Sequence, residues 1–135
     1  MRRYTSMGFA GAMVAAAGLH AYWALGGTWF VETAFNMDIE RVPERLVPAT
    51  WGLALVAILA AIAALARGEW FPGRRPVIPM WMLAAVFWVV AMVCAGAAIY
   101  DATIPRAWDR YVFAPVFVAL TAMAVRLAWP IRERA

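Results

Sequence analysis

Residues 77–100 read VIPMWMLAAVFWVVAMVCAGAAIY, an apolar run without a charged residue. An α-helix rises about 1.5 Å per residue, so a run of this length can cross the roughly 30 Å hydrocarbon core of a bilayer. The run is continuous and lacks the period-two alternation of barrel strands, and only helices or closed barrels satisfy the backbone hydrogen bonds in lipid. It therefore predicts a transmembrane helix.

Three further runs have the same character, at residues 7–26, 46–66 and 111–129. None has a charge near its middle, and glycine or proline marks their ends. The sequence thus predicts an all-α integral membrane protein. Its architecture would be an antiparallel four-helix transmembrane bundle that forms a single domain over residues 1–135.

The composition supports a membrane location. Hydrophobic residues make up 66% of the chain and charged residues 15%, whereas soluble domains have about 45–50% and 25%. A soluble fold of 135 residues would expose a large apolar surface with this composition. We therefore expect membrane lipids to surround the helices.

The positive charges predict the orientation. The net charge is +4, and all twelve cationic side chains are arginines. They lie in short clusters between the apolar runs, which argues against nucleic-acid binding and is typical of topology signals. Eight of them lie at the termini and in the second loop, and four lie in loops one and three. The positive-inside rule predicts a multi-pass protein of the plasma (inner) membrane with both termini in the cytoplasm.

Three local features allow alternatives. The start of the chain has the charge and apolar run of a signal peptide, but the run is long and lacks a clean cleavage site, so we expect an uncleaved first helix. Loop one, residues 28–45, is either a short surface helix or an irregular loop. Pro115 lies either inside the fourth helix, where it would cause a kink, or in its first turn.

The only histidine, His20, lies near the outer end of the first run, and Asp101 ends the third run at a similar depth. Ionisable residues in spanning segments are functional candidates, and imidazole can change protonation near neutral pH. These two residues and nearby aromatic side chains predict a ligand-binding pocket in the outer leaflet. Its predicted residues are His20, Tyr22, Trp23, Trp51, Tyr100, Asp101 and Trp108. The alternative is structural, with His20 as an interfacial anchor and Asp101 as a solvated helix end.

The residue inventory argues against several chemistries. With one histidine and one cysteine, Cys94, the chain lacks the ligands for bis-histidine haem and for paired-thiol redox chemistry. A zinc site would have only His20, Asp101 and Asp109 as a weak ligand set. No P-loop, GxSxG or HExxH motif occurs. We therefore expect no metal, no cofactor and no catalytic residue.

Small residues predict close helix packing. On the first helix they share one face, formed by Gly8, Gly11, Ala12, Ala15 and Leu19. On the third helix Ala91, Cys94 and Ala98 share a face with Asp101, which would then point toward the bundle. These faces join helices either within one chain or between the chains of a homo-oligomer.

The motif His20-x-Tyr22-Trp23-x-x-Gly26-Gly27 resembles the signature of a bacterial family of small four-helix membrane proteins, domain of unknown function 3995. Asp101, followed by Arg110-Tyr111 and Ala114-Pro115, resembles a second block of that family. The resemblance covers essentially the whole chain, although loop one is longer and more acidic than in the family. The resemblance implies the four-helix fold and does not imply any activity.

Three functions follow as hypotheses. The first is a non-enzymatic membrane protein that binds a lipid, a quinone-like molecule or a partner helix at the outer-leaflet pocket. The second is a small proton-coupled transporter that acts as an oligomer, because four helices rarely enclose a path alone. The third is a membrane enzyme of unknown type.

Overall fold

The chain is all-α in the part that the structure, a computed structural model, describes: residues 2–32, 40–70, 79–103 and 109–129. The four long helices are α1 (Arg2–Ala24), α2 (Val47–Arg67), α3 (Met80–Thr103) and α4 (Ala114–Ala128). A 3₁₀ turn at Glu44–Leu46 leads into α2, and a π-helical turn at Asp109–Phe113 leads into α4. No strand occurs in these ranges. The predicted all-α, four-helix fold class is confirmed.

Three of the helices are long and apolar enough to cross a membrane. With their adjoining turns they cover Glu44–Arg67, Trp81–Thr103 and Arg110–Ala128. Helix α1 is the least apolar of the four, because its first turns contain Arg2, Arg3 and Ser6. A crossing by α1 therefore stays a prediction.

Two compact units make up the chain. The central unit is Ala10–Ile62, and the terminal unit combines Met1–Phe9 with Ala63–Ala135. Each unit has its own buried residues.

Helices α3 and α4 form the body of the terminal unit. They run antiparallel, since Arg110 at the start of α4 donates to the carbonyl oxygen of Ala102 at the end of α3 (3.3 Å), and Trp129 lies 6.4 Å from Trp88 between ring centroids. The buried face of α3 repeats at helical spacing and comprises Leu83, Phe87, Ala91, Cys94 and Ala98. The predicted packing face of α3 is therefore confirmed.

The first turns of α1 complete the core of the terminal unit. Phe9 is fully buried and meets Phe87 edge to face, with ring centroids 5.5 Å apart. Gly8 lies beside Met123 of α4, whose Cε would be 3.6 Å from a Cβ at that glycine. Thus α1 contacts both α3 and α4 here.

The structure combines the two predicted alternatives for Pro115. Pro115 lies in the first α-helical turn of α4, and the helical backbone already begins at Asp109 as a π-helical turn. A proline lacks an N–H and its ring clashes with the carbonyl four residues earlier in a continuous α-helix. The π-helical turn at Asp109–Phe113 widens the backbone at that carbonyl, that of Tyr111. We attribute the π turn to this steric demand.

Candidate functional site

The first helix ends in a Schellman motif built from the glycine pair. The N–H of Gly27 donates to the carbonyl of Tyr22 (2.9 Å) and the N–H of Gly26 to that of Trp23 (3.0 Å). These are the two hydrogen bonds of the motif, which needs a left-handed residue just past the helix end. Gly26 supplies it, with φ of +92°. The predicted closure of α1 at this glycine pair is confirmed.

Tyr22 organises the turn that follows. Its hydroxyl oxygen accepts hydrogen bonds from the backbone N–H groups of Thr28 (3.3 Å) and Trp29 (3.5 Å). Its ring lies directly against Gly27, where a Cβ would overlap the ring atoms. Glycine at position 27 is therefore required by the close approach of the Tyr22 ring.

Trp23 connects the end of α1 to loop one. It is 4% exposed, and its indole Nε1–H donates to the carbonyl of Trp29 (2.7 Å). The indole forms a buried apolar cluster with Val31 and Val42. The residues packed around this cluster are Leu19, Phe30, Leu46 and Val47. Trp23 thus serves as a structural residue of the central unit.

His20 lies beside this turn in one defined orientation. Its Nδ1 is 2.8 Å from the carbonyl oxygen of Ala16, one helical turn earlier, and its ring meets Trp23 edge to face at 5.2 Å between centroids. The side chain is half-buried. Within the described part of the chain, Nε2 has no hydrogen-bond partner. In the described residues the fold thus uses Nδ1 of His20 and leaves Nε2 without a hydrogen bond.

The other predicted pocket residues divide between the two units. Trp51 is 45% exposed in the first turns of α2 in the central unit. Tyr100, 57% exposed, and the half-buried Asp101 end α3 in the terminal unit. Trp108 lies outside the described residues. His20, Tyr22 and Trp23 come together, whereas a contact between His20 and Asp101 stays a prediction.

Loop one contributes residues that the predicted pocket did not include. The backbone of Thr28 and Trp29 binds Tyr22 and Trp23, and Val31 is fully buried. Val31 and Glu32 are helical, and residues 33–39 lie outside the described ranges. In the sequence, the helical spacing of the apolar residues in loop one is the feature that indicates burial of Val31 and Val42.

The predicted small-residue face of α1 lies mostly outside the core. Gly11 and Ala15 are exposed, and no described atom approaches within 4 Å of a Cβ placed at Gly11. Gly8 is exposed as well, although a Cβ placed there would lie 3.6 Å from Cε of Met123. Packing between chains through this face stays a prediction. No group of three or more His, Cys, Asp or Glu side chains that could hold a metal ion occurs in the described ranges.

The family comparison covers most of the chain. Residues 13–124 match the family described as "Protein of unknown function (DUF3995)". This range includes the Schellman turn, the whole of α2 and α3 and most of α4. No curated protein and no solved structure matches the chain. Because the match extends over far more than half of its residues, the chain belongs to the DUF3995 family.

Proposed function

We propose that this protein is a non-enzymatic, multi-pass protein of the plasma membrane that binds an amphiphilic molecule, a lipid or a quinone-like compound, at the end of α1. His20 would fix the polar head of that molecule. Both termini would be cytoplasmic, so that the His20 end of α1 faces the outer leaflet. Loop one and the start of α2 would flank the bound head group.

The proposal rests on the fixed orientation of the His20 ring and on its unpaired Nε2. Its orientation is set by the bond to Ala16 and by the contact with Trp23, while Nε2 remains without a partner in the described ranges. Binding sites usually combine an apolar wall with a few oriented polar groups. A polar side chain that is oriented before binding loses little conformational freedom when a ligand arrives.

Exposed apolar and aromatic side chains of the central unit favour an amphiphile over a polar solute. Trp51 and Leu53 at the start of α2 are about half exposed, and Tyr22 presents 43% of its surface. Aromatic residues of this kind sit at the head-group level of bilayers. A molecule with an acyl or prenyl tail could place its tail along these apolar side chains and its head at His20.

Native mass spectrometry with an absorption spectrum tests the proposal on protein purified in a mild detergent. We expect one lipid or quinone-like molecule retained per chain, and its loss in His20→Ala. The matched control is Thr103→Ala in the terminal unit, because Thr103 is exposed and its hydroxyl, among the described residues, donates only to the carbonyl of Tyr100. A wild-type protein without any bound molecule, or equal retention by His20→Ala, would overturn the proposal.

A further inference from the structure

The hydrogen bond between His20 and Ala16 determines which ring nitrogen carries the proton. A backbone carbonyl oxygen can only accept a hydrogen bond. Nδ1 lies 2.8 Å from the carbonyl oxygen of Ala16, so Nδ1 must be the donor. In a neutral imidazole, one nitrogen carries the hydrogen and the other holds a lone pair. In neutral His20, Nε2 is therefore a hydrogen-bond acceptor.

This acceptor requires a partner with a hydrogen to donate. A polar atom left unpaired away from water loses the free energy of its hydrogen bond to water. Carbonyl, ether and phosphodiester oxygens carry no hydrogen and cannot pair with Nε2 of the neutral ring. Hydroxyl and ammonium groups can.

We infer that the ligand bound at His20 is an amphiphile whose head group presents an N–H or O–H donor to Nε2. This inference rests on the proposed function and narrows it. Two sources share this chemistry: phospholipids with a primary ammonium or hydroxyl head, and the reduced, hydroquinone form of a quinone. An oxidised quinone and a choline head group, which have no such hydrogen, are excluded as partners of Nε2 in neutral His20.

Phosphatidylethanolamine and phosphatidylcholine with identical acyl chains are the matched probes. The two share the phosphate and glycerol groups, and only the first has N–H donors. Native mass spectrometry of the full chain in mixed micelles gives the relative retention of each lipid. A net hydrogen bond of about 0.5–1.5 kcal/mol corresponds to a preference of about two- to tenfold for phosphatidylethanolamine. That preference should disappear in His20→Ala and remain in Thr103→Ala.

A second binding experiment distinguishes a phospholipid head group from a hydroquinone as the hydrogen-bond donor. A prenylated hydroquinone, kept reduced by dithionite, is compared with its oxidised form under the same conditions. Preferential retention of the hydroquinone, or of phosphatidylethanolamine over phosphatidylcholine, identifies which donor head group is bound. A preference in either pair that depends on His20 supports the inference.

The failures of the two proposals are separable. If both phospholipids bind equally and His20→Ala loses both, the donor inference is wrong while binding at His20 stands. If the oxidised quinone binds best, the donor inference is also wrong. If the wild-type protein retains none of the four probes, the proposed function itself fails and the donor inference fails with it.

Discussion

Arg67, the last residue of α2, is 2% exposed, and its Nε–H donates to the carbonyl oxygen of Leu127 in the last turn of α4 over 2.8 Å. Its Nη2 also donates to the carbonyl oxygen of Trp129 (3.1 Å). The last carbonyl groups of a helix have no partner within the helix. A guanidinium from α2 satisfies them for α4 and, being cationic, also matches the negative end of the helix dipole. The two helix ends are thus held together in the terminal unit.

Substituting Arg67 tests this junction. Arg67→Met keeps much of the side-chain volume but leaves the carbonyl of Leu127 without the guanidinium, and we expect the free energy of unfolding to fall by about 1.5–3 kcal/mol. Thermal unfolding in detergent, followed by circular dichroism, measures the change. Arg126→Met is the control, because Arg126 is exposed. Equal effects of the two substitutions would show that the buried hydrogen bonds do not stabilise the fold.

Gly68 is predicted to be intolerant of a side chain. It is buried, and a Cβ there would overlap Oγ of Ser6, which donates to the carbonyl of Arg3 (2.8 Å) and accepts from Nε1 of Trp70 (3.0 Å). We expect Gly68→Ala to cost about 1–3 kcal/mol of stability by overpacking.

The matched substitution for Gly68→Ala is Gly11→Ala. Gly11 is exposed within α1 and has open space at the Cβ position. Alanine is a better helix former than glycine by about 0.5–1 kcal/mol, so Gly11→Ala should leave the melting temperature unchanged or raise it. Size-exclusion chromatography of the same variant reports whether the α1 face joins chains. A destabilised Gly11→Ala with a normal Gly68→Ala would contradict the placement of both glycines.

Glu69 should gain stability from substitution by glycine. Glu69 has φ of +59° just past the end of α2, where the N–H of Trp70 donates to Leu65 and that of Glu69 to Ala66. A side chain in this left-handed conformation costs about 1–2 kcal/mol. Glycine removes that cost but adds about 0.4–1 kcal/mol of entropy to the unfolded chain. We expect Glu69→Gly to stabilise by about 0.5–1 kcal/mol.

The control for Glu69→Gly is Glu69→Ala, which removes the carboxylate and keeps the strained backbone. Denaturation midpoints of both variants should therefore differ, with only the glycine variant raised. A rise in both would assign the effect to the charge rather than to the backbone.

Trp23→Phe tests the link between α1 and loop one. The substitution keeps an aromatic ring in the cluster with Val31 and Val42 and removes the Nε1–H that donates to Trp29. We expect a loss of about 0.5–1.5 kcal/mol, and faster hydrogen exchange at the backbone amides of loop one. Unchanged exchange there would show that the indole bond does not hold the loop.

The predicted orientation is open to a labelling experiment. In a Cys94→Ala background, Arg41→Cys places one thiol in loop one, and Glu69→Cys places one after α2. Both positions are exposed. A membrane-impermeant maleimide added to intact cells should label the first variant and not the second, and should label both after lysis. The reverse pattern would invert the positive-inside assignment.

The four helices and their ends follow from local sequence. Each apolar run is long enough to cross the bilayer as a helix. In lipid, a continuous apolar segment can satisfy its own backbone hydrogen bonds only as a helix. Gly26 could be placed at the end of α1 because a Schellman turn depends on residues within six positions of one another. The buried face of α3 was predictable for the same reason, since Ala91, Cys94 and Ala98 share a face by helical spacing alone.

His20 shows where local reasoning stops. Its isolation as the only histidine, and its place near a helix end, are visible in the sequence. Its proton position depends on a rotamer that brings Nδ1 to the carbonyl of Ala16, and several rotamers are sterically allowed in a helix. In this rotamer the ring also meets Trp23, and Trp23 in turn packs against Val31 and Val42 of loop one, which is not a local property.

The sequence by itself therefore determined the helix content, the membrane character, the closure of α1 at its glycine pair and the candidate histidine. Only the tertiary structure decided that Arg67 is buried against the end of α4, that Gly68 leaves room for Ser6, and that the small-residue face of α1 is mostly exposed. The reason is physical: hydropathy and capping act within a few residues of the chain. Contacts between residues more than sixty positions apart depend instead on which helix faces meet and in what register.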